Sequence, residues 1–305
     1  MLVVVGSLNR DVVLQVPHLP LPGETLAAGS VEEISGGKGA NQAVAAARLQ
    51  HDVHLIGCVG DDAAGRWLRE EVVAADVRDQ LATSSEPTGT AYICVAAGDS
   101  SGGENHIVLH AGANAALTPE HIAAHESLIS QADGLLVQLE VPLPTVREAL
   151  AIARRHRVRT ILDPAPAVPL DDELLGLVDI VSPNQSEAAV LVGDVAPSEQ
   201  IDRLQSRHGC AVVLKRGHEG AVWSQPGHGP LEQAALPVDV VDTTAAGDAF
   251  TAALAVALAE GRSPSEALRW ACATGSLAVT KAGAQPSLPT RDAVEAALGE
   301  GGRPE

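Results

Sequence analysis

Hydrophobic residues along this chain fall into short, mostly apolar runs separated by longer amphipathic stretches. Leu2–Val5 is wholly apolar and stops at Gly6; Val53–Cys58, Leu135–Leu139, Thr160–Asp163, Ile180–Ser182 and Ala211–Leu214 are similar, mostly apolar segments, with His54 and Gln138 inside the first two. Runs of this length, bounded by Gly, Pro or Asp, predict strands buried on both faces. Between them, helical periodicity predicts helices over Ala40–Leu49, Asp62–Ala75, Pro144–Arg157, Glu187–Leu191 and Glu199–His208, and two long Ala-rich helices near 246–260 and 264–281. Thr118–Pro119–Glu120 supplies a cap residue, a first-turn proline and an acid, which starts another helix. Ala221–Trp223 and Val238–Val241 predict further β structure. Strands alternating with helices predict an α/β fold: a doubly wound, mostly parallel sheet flanked by helices, in one domain over residues 1–305.

Two segments break this rhythm. Asp11–Val16 alternates and is then interrupted by Pro17, Pro20, Pro22 and Gly23. Gly89–Ala97 also alternates, and a turn-rich Gly98–Asn105 leads into His106–His110, which reads as a hairpin. Together, residues of about 10–35 and 89–110 predict a small accessory sheet outside the main one. The C-terminal Gly299–Glu305 reads as a frayed end.

Composition makes the core aliphatic: 46% of the residues are hydrophobic, yet the chain has one Phe, one Tyr and three Trp. The formal charge of −19 argues against nucleic acid and anionic membrane as partners. The same field repels a nucleotide, so any phosphate site must rest on local dipoles and a few placed cations. The four Cys are scattered without a CxxC spacing, which fits reduced thiols rather than a disulfide framework or a zinc ribbon. No apolar stretch reaches the ~18 residues of a membrane span, and the N-terminus lacks a basic region before its short apolar run. The expected location is the cytoplasm.

Candidate chemistry collects where a parallel sheet places ligands, beyond the carboxyl ends of its strands: Asn9 and Asp11, Glu140, Asp163, Asn184, Lys215 and Asp242. The strongest local signal is Asp242-Thr-Thr-Ala-Ala-Gly247-Asp248, which opens an apolar helix. A helix start offers unpaired N–H groups and a partial positive charge, and Ala245, Ala246 and Gly247 leave those donors open to a phosphate. Asp248 then lies within reach of an acceptor hydroxyl as its general base; alternatively it only complements the helix dipole. In Gly36-Gly37-Lys38-Gly39-Ala40-Asn41, glycines permit close approach to a ligand while Lys38 and Asn41 offer donors to hydroxyls, although a flexible turn is an equal reading and the Walker A pattern is absent. Asn9, Asp11 and Glu140 suit a polyhydroxylated ligand, or are ordinary loop residues. Asn184 and Glu187 can organise a hydrated Mg2+, or cap a short helix. His121 and His125 stand four apart but lack the Glu of a zinc hydrolase motif, so a solvated helix face is the better reading.

In this order, Gly36–Asn41 and Asp242–Asp248 resemble the two signatures of the ribokinase-like (PfkB) family of carbohydrate kinases. Gly6-Ser-Leu-Asn9-Arg-Asp11, His110-Ala-Gly-Ala-Asn114, Gln138-Leu-Glu140, Pro164-Ala-Pro-Ala167 and Gly283-Ala-Gln-Pro-Ser287 extend the likeness from about Val3 to Ala297. The resemblance implies that family's fold and transfer of the γ-phosphate of ATP to the 5-hydroxyl of D-ribose, giving ribose 5-phosphate and ADP. It implies sugar contacts from Asn9, Asp11, Gly37, Lys38, Gly39, Asn41, Glu140 and Asp248, with Asp248 also the base, and an anion hole at Ala245, Ala246 and Gly247. It implies Mg2+ and ATP organised by Asn184 and Glu187, with Lys215, Gly217, Gly220 and Gly247 along the nucleotide and Cys272 near the adenine. A monovalent cation, usually K+, would lie by Asp242, Thr244, Ala278, Lys281, Gly283 and Ser287, fixing the loop rather than touching substrate. The accessory strands would form a lid, and paired lids a homodimer.

The chain departs from the family pattern at four places. Lys215 stands where Thr is usual and Lys281 where Arg is usual; Arg10 replaces a small residue, and the turn Asp99–Glu104 is longer than usual. The acceptor stays open between ribose, deoxyribose, a ketose and a nucleoside, the last disfavoured by so few aromatic side chains. A non-catalytic sugar-binding sensor is the remaining alternative.

Overall fold

Leu2 and Val4 face one side of the central sheet and Val3 and Val5 the other, because successive side chains of a strand alternate. All four are fully buried, which is why this first strand reads as an unbroken apolar run. The computed structural model describes residues 1–96 and 105–300. The strands are β1 (Leu2–Val5), β2 (Asn9–Val16), β3 (Ser30–Gly36), β4 (Val53–Gly60), β5 (Arg78–Ser84), β6 (Thr90–Ala96), β7 (Asn105–His110), β8 (Gly134–Val137), β9 (Thr160–Leu162), β10 (Ile180–Val181), β11 (Ala211–Lys215), β12 (Ala221–Ser224) and β13 (Leu231–Gln233).

Nine strands form the main sheet in the order β13-β12-β11-β10-β9-β8-β1-β4-β5. Pairing is parallel from β11 through to β5, with β12 and β13 added antiparallel at one edge. The chain runs outward from β1 to β4 and β5, then returns to lay β8 on the other side of β1. That reversal is a switch point, and it leaves a crevice above β1 and β8. On one face pack the helices Lys38–Arg48, Ala246–Ala259 and Pro264–Ala278; on the other, Leu143–His156 and Pro197–His208. Residues 248–258 of Ala246–Ala259 are all buried. Alanine at so many of them lets the backbone sit close to its neighbours with little side-chain entropy to lose.

The second sheet has four strands, in the order β3-β2-β6-β7. β2 pairs antiparallel with β3 and parallel with β6, and β6 with β7 forms the expected hairpin. The turn expected over Asp99–Glu104 and the terminal residues 301–305 lie outside the described residues.

Most elements fall where the hydrophobic pattern puts them. Val238–Val241 does not: it is a loop and not β structure. The backbone N–H groups of Val241 and Asp242 both donate to Val279 O, just past a helix end, instead of to a neighbouring strand. The edge position beside β12 is taken by Leu231–Gln233. Val240 and Val241 are accordingly exposed. β5 is missing from the sequence reading because RDQLATS mixes charged and apolar residues, as an edge strand with an open side permits. The short helices after the second Ala-rich helix, Ala284–Ser287 and Arg291–Glu300, are also absent from that reading.

Candidate active site

The carboxyl ends of β1, β8 and β9 bring their polar residues to one crevice. The glycine-rich segment Gly36–Gly39 passes over β1 so closely that side chains are excluded. A Cβ at Gly39 would lie 2.5 Å from Gly6 C and Ser7 N, and one at Gly36 would collide with the Asp11 carboxylate. Gly37, at φ +90°, adopts a conformation that disfavours L side chains, and a Cβ there would stand 2.8 Å from Asn9 N. These glycines therefore press the start of the helix Lys38–Arg48 against the loop after β1.

That contact assembles the polar cluster. Glu140 accepts hydrogen bonds from Ser7 Oγ at 2.5 Å, from Lys38 N at 3.1 Å and from Asn9 Nδ2 at 3.5 Å. Asn114 Nδ2 donates to Asn9 Oδ1 at 2.8 Å. Asp11 is buried, and its Oδ1 has no hydrogen-bond partner among the described residues; the same holds for Asn41 Oδ1. Buried acceptors left unpaired are costly, and hydroxyls of a bound ligand would satisfy both. Burial, with Glu140 and Asp248 nearby, pushes the Asp11 carboxyl up to about 7. Burial alone would lower the Lys38 ammonium, but Asp248, Asp163, Glu140 and Glu187 outweigh it and hold the group above its ordinary value.

Asp248 sits in the first turn of Ala246–Ala259 and is 5% exposed. Asn41 Nδ2 donates to its Oδ2 at 3.0 Å, and Gln42 Nε2 to its Oδ1 at 3.1 Å. Burial raises its pKa to about 6; Lys38 and these two amides act against the rise and Asp163 adds to it. A carboxylate poised near neutrality in a crevice fits a general base. Ala245, at φ +59°, turns the chain into the helix, and the amides of Gly247 and Asp248 have no carbonyl four residues back within the helix. The Ala246 amide is partly engaged, donating to Thr243 O at 3.3 Å.

On the far side of this helix start lies a cavity of about 580 Å3 lined by Lys215, Gly217, Gly220, Gly247 and Cys272. Val238 and Val240 of the loop that replaces the expected strand form part of its wall. The cavity brings together five residues expected along the nucleotide. Burial pushes the Cys272 thiol up to about 12, so it is an apolar wall group rather than a nucleophile. Asn184 and Glu187 form a reciprocal cap: Glu187 N donates to Asn184 Oδ1 at 2.8 Å and Asn184 N to Glu187 Oε2 at 2.7 Å. Burial raises the Glu187 carboxyl above its usual range, with Lys215 opposing.

Asp242 joins two loops. Its Oδ1 accepts from Thr244 N at 2.9 Å and from Thr244 Oγ1 at 2.6 Å, and its Oδ2 from Gly283 N at 2.8 Å. Burial would raise its pKa, but these bonds hold it below the usual range. Ala278 closes the preceding helix, Ser287 Oγ donates to Ala284 O at 2.8 Å, and the Lys281 side chain is exposed.

The sequence assigns no role to two further positions of this cluster. Gln42 bridges Asp248 and Asp163, its Nε2 lying 2.9 Å from Asp163 Oδ2, while its Oε1 accepts from Gln138 Nε2 at 2.5 Å. Asp163 is noticed only as a strand-end acid, yet it holds Lys215 Nζ at 2.8 Å. One helical step separates Gln42 from Asn41 and was the available signal.

A family model described as pfkB family carbohydrate kinase matches residues 1–291. The chain is similar to a ribokinase of Haemophilus influenzae, 41% identical over 297 residues and covering 95% of each chain. Among solved structures it is similar to a ribokinase of Thermotoga maritima, with a TM-score of 0.91 at 35% identity over 98% of this chain and 99% of that one. It is also similar to a ribokinase of Arabidopsis thaliana complexed with ribose and ATP, with a TM-score of 0.88 at 35% identity over 97% and 98%.

Proposed function

This chain belongs to the pfkB family of carbohydrate kinases, and we propose that it transfers the γ-phosphate of ATP to the 5-hydroxyl of D-ribose, with Asp248 as the base. The observation that carries the reading is the position of Asp248. It lies at a helix start able to hold a phosphate, and it is hydrogen-bonded by Asn41 from the segment that builds the polyol cluster. The ribose and ATP of the Arabidopsis thaliana complex, in a chain of nearly the same length, support this choice of substrates.

In this account Asn9, Asp11, Gly37, Lys38, Gly39, Asn41 and Glu140 hold the sugar. Asp248 takes the proton of the attacking hydroxyl as its oxygen bonds to the γ-phosphorus, and the bridging oxygen leaves with ADP. The Gly247 and Asp248 amides, at the positive end of the helix, stabilise the charge on the transferring group, with Ala245 and Ala246 shaping the turn. Lys215, Gly217, Gly220 and Cys272 line the nucleotide.

Among the described residues no three His, Cys, Asp or Glu side chains converge to cage a metal ion. Asn184 and Glu187 would hold hydrated Mg2+ beside the nucleotide phosphates through its waters. It would neutralise charge on the phosphates. The Asp242 carboxylate, kept ionised where two loops meet, suits a hard monovalent cation such as K+, held with Thr244, Ala278, Lys281, Gly283 and Ser287 or their backbone carbonyls. Its contribution would be to fix the loop that begins the anion site.

The four-stranded sheet is the lid of this reading, closing over the sugar and excluding water. Val31, Tyr92, Ile107, Val108 and Leu109 are exposed on it, which supports pairing of two lids in a homodimer. Among the described residues no helix is long and apolar enough to cross a membrane, and dependence on ATP suits the cytoplasm. The test is ATP consumption with ribose in Mg2+ and K+, with the product identified by mass.

A further inference from the structure

Lys215 ends β11 and is 12% exposed, and its ammonium faces two sites at once. On one side Nζ lies 2.8 Å from Asp163 Oδ1 and 3.9 Å from Glu187 Oε2. On the other it borders the cavity, 3.7 Å from where a Cβ on Gly247 would stand, beside the first-turn amides. Lys215 and His218 are the basic side chains among the residues lining that cavity. From Asp163 the chain of hydrogen bonds continues: Oδ2 accepts from Gln42 Nε2 at 2.9 Å, and the same Nε2 donates to Asp248 Oδ1 at 3.1 Å. Cation, carboxylate, amide and carboxylate thus run without a break from the nucleotide cavity to the base.

Resting on the sugar kinase reading above, we infer that the nucleotide phosphates draw Lys215 away from Asp163, and that Asp163 and Gln42, as positioning residues, pass this change to Asp248. Asp163 is 2% exposed; Lys215 is the cation bonded to it, and the Lys38 ammonium also feels its charge. Once Lys215 turns to phosphate, the Asp163 charge loses its bonded counter-ion and, one amide away from Asp248, competes with it for Lys38. A like charge strengthens a neighbouring carboxylate's hold on a proton. The groups facing Asp248 are Lys38, Asn41 and Gln42 from the helix Lys38–Arg48, Asp163 beyond β9, and Asp11 on β2. Of these, Asp163 is the one whose counter-ion also borders the nucleotide cavity. Base strength therefore rises when the phosphate donor is in place. The transfer itself balances simply: the sugar O–H bond breaks with its proton passing to Asp248, the new O–P bond forms, and the β–γ bridging P–O bond breaks with its electron pair leaving on ADP.

Proton uptake on binding tests this directly. A non-hydrolysable ATP analogue with Mg2+ is titrated calorimetrically into wild type, Lys215→Thr, Lys215→Arg and Asp163→Asn, in two buffers of different ionisation enthalpy near the pH where Asp248 titrates. Wild type and Lys215→Arg take up protons as the analogue binds, whereas Lys215→Thr and Asp163→Asn lose most of that uptake. Lys215→Thr also binds the analogue about tenfold more weakly or worse, as loss of a charge-assisted contact requires. Equal uptake in all four proteins overturns the inference while wild-type turnover of ribose leaves the kinase reading standing. Lack of phosphoryl transfer by wild type to any sugar overturns that reading and, with it, this one.

Discussion

Asn41 Nδ2 donates to Asp248 Oδ2 at 3.0 Å, across a separation of 207 residues. The glycine-rich segment that shapes the sugar side of the crevice therefore also aims the base. Asn41 and Gln42 follow each other on one helix and take the two oxygens of Asp248 between them, so the carboxylate is held from two directions before any substrate arrives.

Asp248→Asn keeps the size and polarity of the side chain but removes its capacity to take a proton. We expect kcat to fall by about 10^2–10^4-fold, the usual contribution of a general base, with ribose affinity by calorimetry nearly unchanged. Wild-type turnover in this variant would remove Asp248 from the chemistry.

The pH profile follows from the same residue. Asp248 acts when ionised, and its pKa stands at about 6. Activity should rise with pH through about 6 and level off above it, and kcat/KM for ribose measured from acid to neutral pH shows the limb. A limb at the ordinary carboxylate range would mean that the group in control is less buried than Asp248.

Asp11 links function to stability with the opposite sign. Its folded pKa of about 7 is above the ordinary 3.8. The stability it contributes is thus fully present below the unfolded value and is lost as pH rises through about 7. Asp11→Asn should raise the melting temperature at pH 8 by a few degrees, lose that advantage near pH 4, and weaken ribose binding. A lower melting temperature at pH 8 would contradict the strain assigned to this carboxylate.

Gly39→Ala would drive a methyl group into Gly6 and Ser7, 2.5 Å away, both of them backbone. We expect a loss of about 1–3 kcal/mol, the usual scale of overpacking, and a loss of sugar affinity with it. Gly229→Ala, where nothing lies within 4 Å, serves as the neutral control. Chemical denaturation reads both.

Much of this was legible in the sequence because the core strands are apolar runs and the anion site is a contiguous motif. The crevice was harder to read. Asn9, Asp11, Glu140 and Asp248 carry local signals, but nothing local says that Gln42 bridges two acids or that Asp163 pairs with Lys215, since those contacts span 52 to 206 residues. Asn184 and Glu187 form the cap that was one of their two readings, a geometry local enough to be read from the sequence. Val238–Val241 misled because its alternation is that of a strand, while its donors are taken by a helix end.

Exchange of K+ for Na+ should lower turnover, and Asp242→Ala should remove the difference between the two ions. Equal rates in both ions with wild type would exclude a selective cation at the junction of Thr244 and Gly283.

The most direct test of the whole account is phosphorylation by the purified protein with ATP, Mg2+ and K+, offered ribose, 2-deoxyribose, fructose and adenosine in parallel, with each product identified by mass and by the position of its phosphate. The account predicts a clear preference for ribose and ribose 5-phosphate as the product. Preference for another acceptor would contradict the assignment of the polyol cluster to ribose, and no transfer to any of them would contradict the catalytic role of Asp248.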